Sequence, residues 1–588
     1  MPKAQRQASQ LQFTTHDGST LCYRYWPVDE PPAGEPRAIV LLHRGHEHSG
    51  RLQHVVDELK LGDFAMFAWD ARGHGLSPGA RGDSPSFAAL VKDLDSFVRH
   101  IVRAHGIASH QIAVLGQSVG AVIAATWAHD FAPRVRCLVL TAPAFRVKLY
   151  VPLARPGLAL IRRLVGNFFI TSYVKAKFLT HDAERIRSYD TDSLVTRSIS
   201  ARVLLGLLDA SDRVVADAQA IRLPLQLLIS GQDWVVHRQP QETFFAALGS
   251  PVKERLLLEG FLHDTLGERE RKVAIDAIRD FVVRTFNRPP AADSLRDAHE
   301  RGFSRDEELR LRQPLPRFSL RRWSFAATRL SMRTLGRLSD GIRIGLATGF
   351  DSGRSLDHVY RNQASGRFLI GKVIDRGYLD AIGWRGIRVR RQHLIAAVTA
   401  AAEQLRAAGQ PLSIVDLAAG PGRYLLDAVA QLAPERPQAI VLCDYDPANL
   451  AQAKALATER HLADVTRCEV SDAFDESALA RLAPRPTLAV VSGLYELYSD
   501  NDLVARSLAG LAQALAKDAC LIYTGQPWHP QLEMIARTLT SHRQHAPWVM
   551  RRRSQAELDE LVSSAGFTKI AQWIDDWGMF TVSLARRV

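Results

Sequence analysis

Short apolar runs, separated by mixed stretches about as long as a helix, recur along this chain. Residues 38–42, 64–69, 112–115, 135–140, 225–230 and 255–258 each read as a strand buried on both faces. Between them, Leu90, Leu94, Phe97 and Ile101 fall at helical spacing and predict a helix over 87–104, and 121–129 predicts another. Residues 11–25 alternate about Asp17-Gly18, a hairpin signal. Strands alternating with helices predict a mostly parallel sheet covered on both faces. The alternation stops over about 145–210 and begins again at 413–416, 439–443, 466–470, 488–491 and 520–523. Two such series in 588 residues predict two α/β domains, one at 11–286 with a cap at 145–210, the other at 360–588, joined by 287–359.

The ends of these strands carry the candidate chemistry. The strand at 112–115 runs into Gly116-Gln-Ser118-Val-Gly120 and then a helix, the strand–turn–helix setting of a nucleophile elbow. Glycines flank the serine because the turn leaves no room for side chains there. Asp233 follows the strand at 225–230, and His263 follows the strand at 255–258. That is the chain order serine, acid, histidine, with each group in a loop at a strand's carboxyl end. His263 would take the Ser118 proton and Asp233 would hold the imidazole tautomer. Asp264 is a weaker rival for the acid, because adjacent side chains rarely reach each other's ring nitrogen.

With His43-Arg-Gly45-His-Glu-His-Ser-Gly-Arg51 and the Gly73-His-Gly75 segment, these pieces resemble the monoacylglycerol lipase and lysophospholipase type of α/β-hydrolase over about 11–286. The resemblance implies an oxyanion hole from the backbone N–H groups of Gly45 and Val119. It also implies a glycine where this chain has Arg44. Two readings of Arg44 stay open: backbone strain at a position needing positive φ, or recognition of an anionic head group. The resemblance places a cap over 145–210, here apolar and basic, which suits a lipid with an anionic head.

In the second series, 413–416 ends at Asp416, and Ala418, Gly420 and Gly422 lie in the loop before a helix. The third glycine of a dinucleotide fingerprint is absent, since Leu425 stands there, which argues against NAD. Asp444 ends the next strand, where a carboxylate can take two ribose hydroxyls, and Asp472 follows the one after. This series resembles the class I S-adenosylmethionine-dependent methyltransferases, with their Rossmann-like fold, over about 360–588. The resemblance implies S-adenosyl-L-methionine as cofactor. The Asp416–Gly422 loop would hold its methionine end, Asp444 the ribose, and Asp472 with Ala473 the adenine. Ser492, Tyr495 and Glu496 would face the methyl group, with Tyr495 and Glu496 as acceptor-site candidates chosen by position. The stretch 524–529, containing His529, is another candidate wall. The whole chain is similar to bacterial fusions of these two enzyme types.

Charge and composition adjust this picture. The net charge of +13 predicts an acidic partner. It is concentrated at 317–337, where Phe318, Leu320, Trp323, Phe325, Leu330 and Leu335 interleave with arginines. Such a stretch suits an anionic membrane surface across 310–345, a helix packed on the second domain, or, less well, nucleic acid. The five scattered cysteines lack metal spacing and predict buried thiols in a reducing compartment, so no metal is expected. The basic start has no apolar segment and is not expected to be a secretory signal. No run is long enough to span a bilayer, so the expected location is cytoplasmic, with peripheral contact at the inner membrane.

The expected function is a serine ester hydrolase of lysophospholipid or monoacylglycerol type joined to a methyltransferase in lipid metabolism. One alternative is opposed carboxyl methylation and methyl-ester hydrolysis of a soluble molecule. Another keeps the methyltransferase and makes the first domain a non-catalytic binding module.

Overall fold

The computed structural model describes all residues except 1–4, 32–33, 173, 289–292 and 433–435. The start of the basic N-terminal stretch and residues 289–292 of the expected linker lie outside the described residues. The chain divides into two units, Met1–Asp293 and Ser294–Val588.

In the first unit the strands are β1 (Ser9–Thr14), β2 (Thr20–Trp26), β3 (Arg37–Leu42), β4 (Phe64–Trp69), β5 (Ile112–Gln117), β6 (Cys137–Thr141), β7 (Phe169–Thr171), β8 (Ser198–Ser200), β9 (Leu225–Ser230) and β10 (Lys253–Leu258). Eight of them form one sheet in the order β1-β2-β4-β3-β5-β6-β9-β10. The β1–β2 hairpin is antiparallel, β2 pairs antiparallel with β4, and the pairs from β4 to β10 are parallel. The apolar runs become strands because both sheet faces are covered. The helix Phe87–His105 shows the local logic. Ser86 caps it through Ala89 N–H, Leu90, Leu94, Phe97 and Ile101 are buried, and Gly106 ends it in the left-handed region at φ 67°.

The excursion between β6 and β9 holds the helices Ala154–Val165, Ala183–Thr191 and Ala201–Ala216 and the β7–β8 ribbon. The first of these helices buries none of its residues.

The second unit continues with β11 (Ser413–Leu417), β12 (Ala439–Asp444), β13 (Thr466–Val470), β14 (Leu488–Val491), β15 (Cys520–Gly525), β16 (Phe567–Ile574) and β17 (Thr581–Arg587). Their order is β13-β12-β11-β14-β15-β17-β16, parallel except for β17, which is antiparallel to both neighbours. Two clusters of buried apolar side chains include residues of these strands, one with Ile414, Leu442 and Ile522, the other with Val415, Val441 and Tyr523.

This unit starts at Ser294 rather than at 360. The helices Phe303–Arg312, Leu320–Arg333, Asp340–Thr348 and Gly353–Arg361 all fall within it. The reason is a buried polar anchor. Arg551 is fully buried and donates to Ser304 Oγ at 2.8 Å, to Asn501 Oδ1 at 2.7 Å and to Glu557 Oε1 at 2.6 Å. Glu560 accepts from Leu295 N–H at 2.9 Å. Among the described residues, no helix is long and apolar enough to cross a membrane.

Candidate active sites

The first site is built on a turn between β5 and the helix Val119–Phe131. Ser118 sits there at φ 54°, ψ −110°, a region that residues with side chains rarely occupy. A Cβ on Gly116 would lie 2.6 Å from Gly120 O, and one on Gly120 would lie 2.6 Å from His43 O, so only glycine fits either position. The turn is held by Ser118 N–H on Thr141 O at 2.9 Å.

His263 Nε2 lies 2.8 Å from Ser118 Oγ, and its Nδ1 lies 2.7 Å from Asp233 Oδ2. An ionised carboxylate only accepts, so Nδ1–H donates to Asp233 and Nε2 is left to accept the Ser118 hydroxyl proton. Asp233 Oδ1 accepts from the N–H groups of Val235 at 2.7 Å and Val236 at 2.9 Å. Burial works against the Asp233 charge, but His263 and these two N–H groups outweigh it and hold the carboxyl below its usual range. Gly45 and Val119 are neighbours on the same wall: a Cβ on Gly45 would lie 3.0 Å from Val119 Cγ2. Val119 opens its helix, so its N–H has no partner in that helix's own ladder. These groups face a cavity of about 530 Å³ whose cap side includes Leu149, Leu158, Ile161, Leu204 and Leu207.

The strain reading of Arg44 does not fit its surroundings; Arg44 does line the cavity beside Ser118, with its charge engaged by neighbouring carboxylates. The left-handed residue of this loop is His46, at φ 72°, so Arg44 carries no such strain. Its guanidinium is buried and donates to Glu47 Oε1 at 2.8 Å, with Asp264 Oδ1 at 3.9 Å and the Tyr189 ring beneath it. The charge is matched inside the protein. Glu47 also accepts from Arg51 at 2.6 Å, and Asp264 accepts from Gln117 at 2.9 Å and from cap Arg185 at 3.0 Å. Asp264 therefore contacts Gln117 and Arg185, not the His263 ring. Burial opposes its charge, but Arg185 and Arg44 hold its carboxyl far below the usual range. This network ties the residues flanking Ser118 and His263 to the Gly45 loop and the cap. Glu47 and Arg51 stood in a recognised motif, whereas Arg185 gave no signal in the sequence.

The second site is a cavity of about 670 Å³ at the carboxyl ends of β11, β12, β13 and β14. Ala418 (φ 52°), Gly420 (φ 56°) and Gly422 (φ 67°) are all left-handed. Gly420 N–H donates to Asp444 Oδ2 at 2.8 Å, while Asp444 Oδ1 accepts from Asp446 N–H at 2.9 Å and Asn449 at 3.2 Å. A Cβ on Gly420 would meet nothing within 4 Å, so the backbone there is open to a ligand. Asp472, Ala473 and Ser492 line the same cavity, and Asp472 Oδ1 accepts from Phe474 N–H at 2.9 Å.

Two expected residues stand elsewhere. Asp416 is fully buried behind the loop, where Tyr424 donates to Oδ1 at 2.5 Å, and burial with Asp444 nearby pushes its carboxyl up to about 8. It does not line the cavity. Tyr495 is packed in the core with its hydroxyl 3.0 Å from Ser507 Oγ, so the acceptor role assigned to it is withdrawn. Glu496 turns the other way and, with Gln526 and His529, lines a smaller adjoining cavity. Sequence reasoning missed the cavity wall formed by Ser352, Leu356, Tyr360 and Arg390; the helix Gly353–Arg361, capped by Ser352, lay almost wholly in a stretch read as linker.

Comparison with known proteins agrees with this division. The family model described as "Putative methyltransferase" matches residues 278–587, and that described as "Serine aminopeptidase, S33" matches 34–270. An Escherichia coli (strain K12) relative, "Uncharacterized protein YnbC", is 51% identical over 98% of both chains. Over the first half, the chain is 25% identical to "Phospholipase YtpA" of Bacillus subtilis, covering 44% of this chain and 97% of that one. It is 24% identical to the "Monoacylglycerol lipase" of Mycolicibacterium smegmatis, covering 47% and 97%. The fold class expected from the sequence holds in both halves: an α/β-hydrolase fold, then a Rossmann-like methyltransferase fold.

Buried histidines around the first site give it a defined acid sensitivity. Burial pushes His46 and His54 down to about 4 and His74 to about 3. As pH falls below the ordinary histidine value of about 6.5, the unfolded chain takes up protons that these folded rings refuse. The contribution of these three rings to the first unit's stability is therefore full above that value and declines as pH drops toward the folded values of about 3 to 4. Its urea midpoint is expected to be lower at about pH 5 than at about pH 7. Equal midpoints would contradict this.

Proposed function

The chain belongs to the "Putative methyltransferase" family, with an α/β-hydrolase domain ahead of the methyltransferase, and from that premise we propose that it is a bifunctional enzyme: a serine ester hydrolase for monoacylglycerol- or lysophospholipid-type esters, joined to an S-adenosylmethionine-dependent methyltransferase, both serving lipid metabolism. The observation that carries the hydrolase half is the Ser118–His263–Asp233 line at the floor of an apolar cavity.

His263 Nε2 takes the Ser118 proton as Oγ attacks the ester carbonyl. Gly45 and Val119 N–H groups receive the developing oxyanion. The alcohol leaves with the proton from His263, and water, deprotonated by the same ring, releases the acid from acyl-Ser118. Asp233 keeps the imidazole in its tautomer and stabilises its charged form. The apolar cavity favours an acyl chain and counts against a small soluble methyl ester.

For the methyltransferase half, the residues fit S-adenosyl-L-methionine. Two carboxylates stand beyond successive parallel strands, beside a left-handed loop whose backbone is open. When bound, the cofactor supplies an electrophilic methyl group. Asp444 would hold the ribose hydroxyls, Asp472 and Ala473 the adenine, and the 418–422 loop the methionine end, with Ser492 on the methyl side. Asp416 acts from behind, fixing the loop through Tyr424.

The reading includes peripheral contact with an anionic bilayer in the cytoplasm. Phe318 is 94% exposed, Leu320 87% and Trp323 64%, on and just before the helix Leu320–Arg333. Phe368 (80% exposed) and Leu369 (79%) open the helix Phe368–Leu379, and Arg367 N–H is bonded to Leu338 O just beyond the first helix. No acidic residue lies between Glu308 and Asp340 or between Asp357 and Asp375. Exposed aromatic and basic residues suit the interface of an anionic membrane, with Glu533, paired to Arg321, as an acid beside the first helix.

A fluorophosphonate is expected to label the full chain at Ser118. Ser118→Ala should abolish labelling and lower monoacylglycerol hydrolysis by about 10⁴-fold or more. Absence of labelling in the native chain would leave the first domain a binding module. By calorimetry, Asp444→Asn should weaken S-adenosylmethionine binding by ~10–100-fold, and Asp416→Asn by less; the reverse order would contradict the assignment. The protein should sediment with vesicles containing an anionic phospholipid and not with neutral ones. Replacing Phe318, Leu320 and Trp323 together by alanine should release it, and unchanged sedimentation would remove this face from the account.

A further inference from the structure

Beside the 670 Å³ cavity lies a smaller one of about 90 Å³. Asp351, Leu356, Arg390, Gly493 and Leu497 line both. A group transferred from the first cavity would pass this shared wall. The smaller cavity is mostly apolar and aromatic, with Trp384, Ile387, Met534, Trp548, Met550 and Phe580 around it.

Its polar residues are held in a particular way. Thr524 hydroxyl accepts from Gly493 N–H at 2.8 Å and donates to Glu496 Oε1 at 2.7 Å, so the ends of β14 and β15 fix one oxygen of that carboxylate. The other, Oε2, is buried and has no hydrogen-bond partner among the described residues, and the same is true of Arg390 Nε and Trp548 Nε1. Unpaired buried atoms are costly, and they occur in native structures where a ligand or water completes them. Three of them belong to residues lining this one cavity. His529 Nδ1 accepts from Gln531 N–H at 3.1 Å, which leaves its ring proton on Nε2 and makes it a donor here rather than a base.

Charge narrows the ligand further. Arg390 lies 3.6 Å from Glu496, so the two charges cancel, while the other carboxylate on the lining, Asp351, is held by Ser541 Oγ and His542 N–H, both at 2.6 Å. A carboxylate acceptor would add an uncompensated negative charge beside Glu496 in a poorly solvated space. An uncharged acceptor meets no such penalty.

We propose that this cavity binds an apolar, uncharged acceptor through a phenol-type hydroxyl, and that Glu496 is the base for its methylation. The inference rests on the methyl-transfer reading above and names its substrate class. The hydroxyl oxygen forms a bond to the methyl carbon as the carbon–sulfur bond breaks. The electron pair stays on sulfur and the hydroxyl proton passes to Glu496 Oε2. A phenol, with a pKa of about 10, is acidic enough for a carboxylate base to assist as the new bond forms, whereas an aliphatic alcohol is a far weaker acid. Trp384, Trp548 and Phe580 supply aromatic contacts for the ring.

The test uses the full chain and para-cresol, with para-methylbenzoate as its charged counterpart. Binding of each, and of S-adenosylmethionine, is read by calorimetry, and labelled methyl transfer is read separately. The phenol is expected to bind the native chain and Glu496→Gln alike, and the benzoate to bind neither. Transfer to the phenol should fall by ~100-fold or more in Glu496→Gln, with cofactor affinity unchanged. Cofactor binding without phenol binding, phenol binding without methylation, or full activity in Glu496→Gln would each overturn the proposal and leave the methyl-transfer reading standing. Failure of the cofactor to bind would overturn that reading and the proposal with it. If Glu496→Gln does not fold, Trp548→Ala serves instead: it should weaken the phenol ~10-fold at unchanged cofactor affinity, and an unchanged phenol affinity would overturn the proposal.

Discussion

At Ser118 the backbone holds a side-chain-bearing residue at φ 54°, and much of the first unit is arranged so that it can. The turn survives because Gly116 and Gly120 let strand, helix and the His43 loop approach to distances that no Cβ would tolerate. Once the hydroxyl is fixed there, the parallel sheet brings the partners. The loops after β9 and β10 lie at the same edge as the elbow and deliver Asp233 and His263. The buried charges of Arg44, Glu47, Arg51, Asp264 and Arg185 then join the Gly45 loop, both sides of the Ser118–His263–Asp233 line and the cap. In such a network each charge depends on its neighbours, so it sets geometry more than it adds stability.

The second unit solves a related problem with other residues. Its sheet reverses direction of growth between β11 and β14, and the loops on either side leave a crevice at their carboxyl ends. A left-handed run at 418, 420 and 422 brings backbone rather than side chains to that crevice. Asp444 stands across it on Gly420 N–H. The smaller cavity is walled by residues after β14 and β15 and by the helix Ile382–Ala407, so the two cavities arise from adjoining loops of one sheet.

What could be read from the sequence was local. The elbow, Asp233 and His263 sit at strand ends of the first sheet, and Asp444 and Asp472 at or just past strand ends of the second, so within each unit these residues gather at the carboxyl edge of its own sheet. Asp416 and Tyr495 were misread because position along the chain does not fix the direction of a side chain. Asp416 ends inside a strand buried along its whole length and turns toward Tyr424. Tyr495 and Glu496 share a single turn, yet one side chain enters the core and the other a cavity. The helices over 303–361 were hidden by their basic composition, and the first of them is anchored through Ser304 by Arg551, far along the chain. The cap arginine Arg185 is legible only once Asp264 lies opposite it.

The central claim is that one chain carries two catalytic centres serving lipids. Its most direct test supplies purified protein with S-adenosylmethionine bearing a labelled methyl group and a bacterial lipid extract, and counts organic and aqueous fractions. The account predicts label in the organic fraction, lost in Asp444→Ala; further loss in Ser118→Ala would show that hydrolysis makes the acceptor. Cofactor binding with no label in any lipid would contradict it.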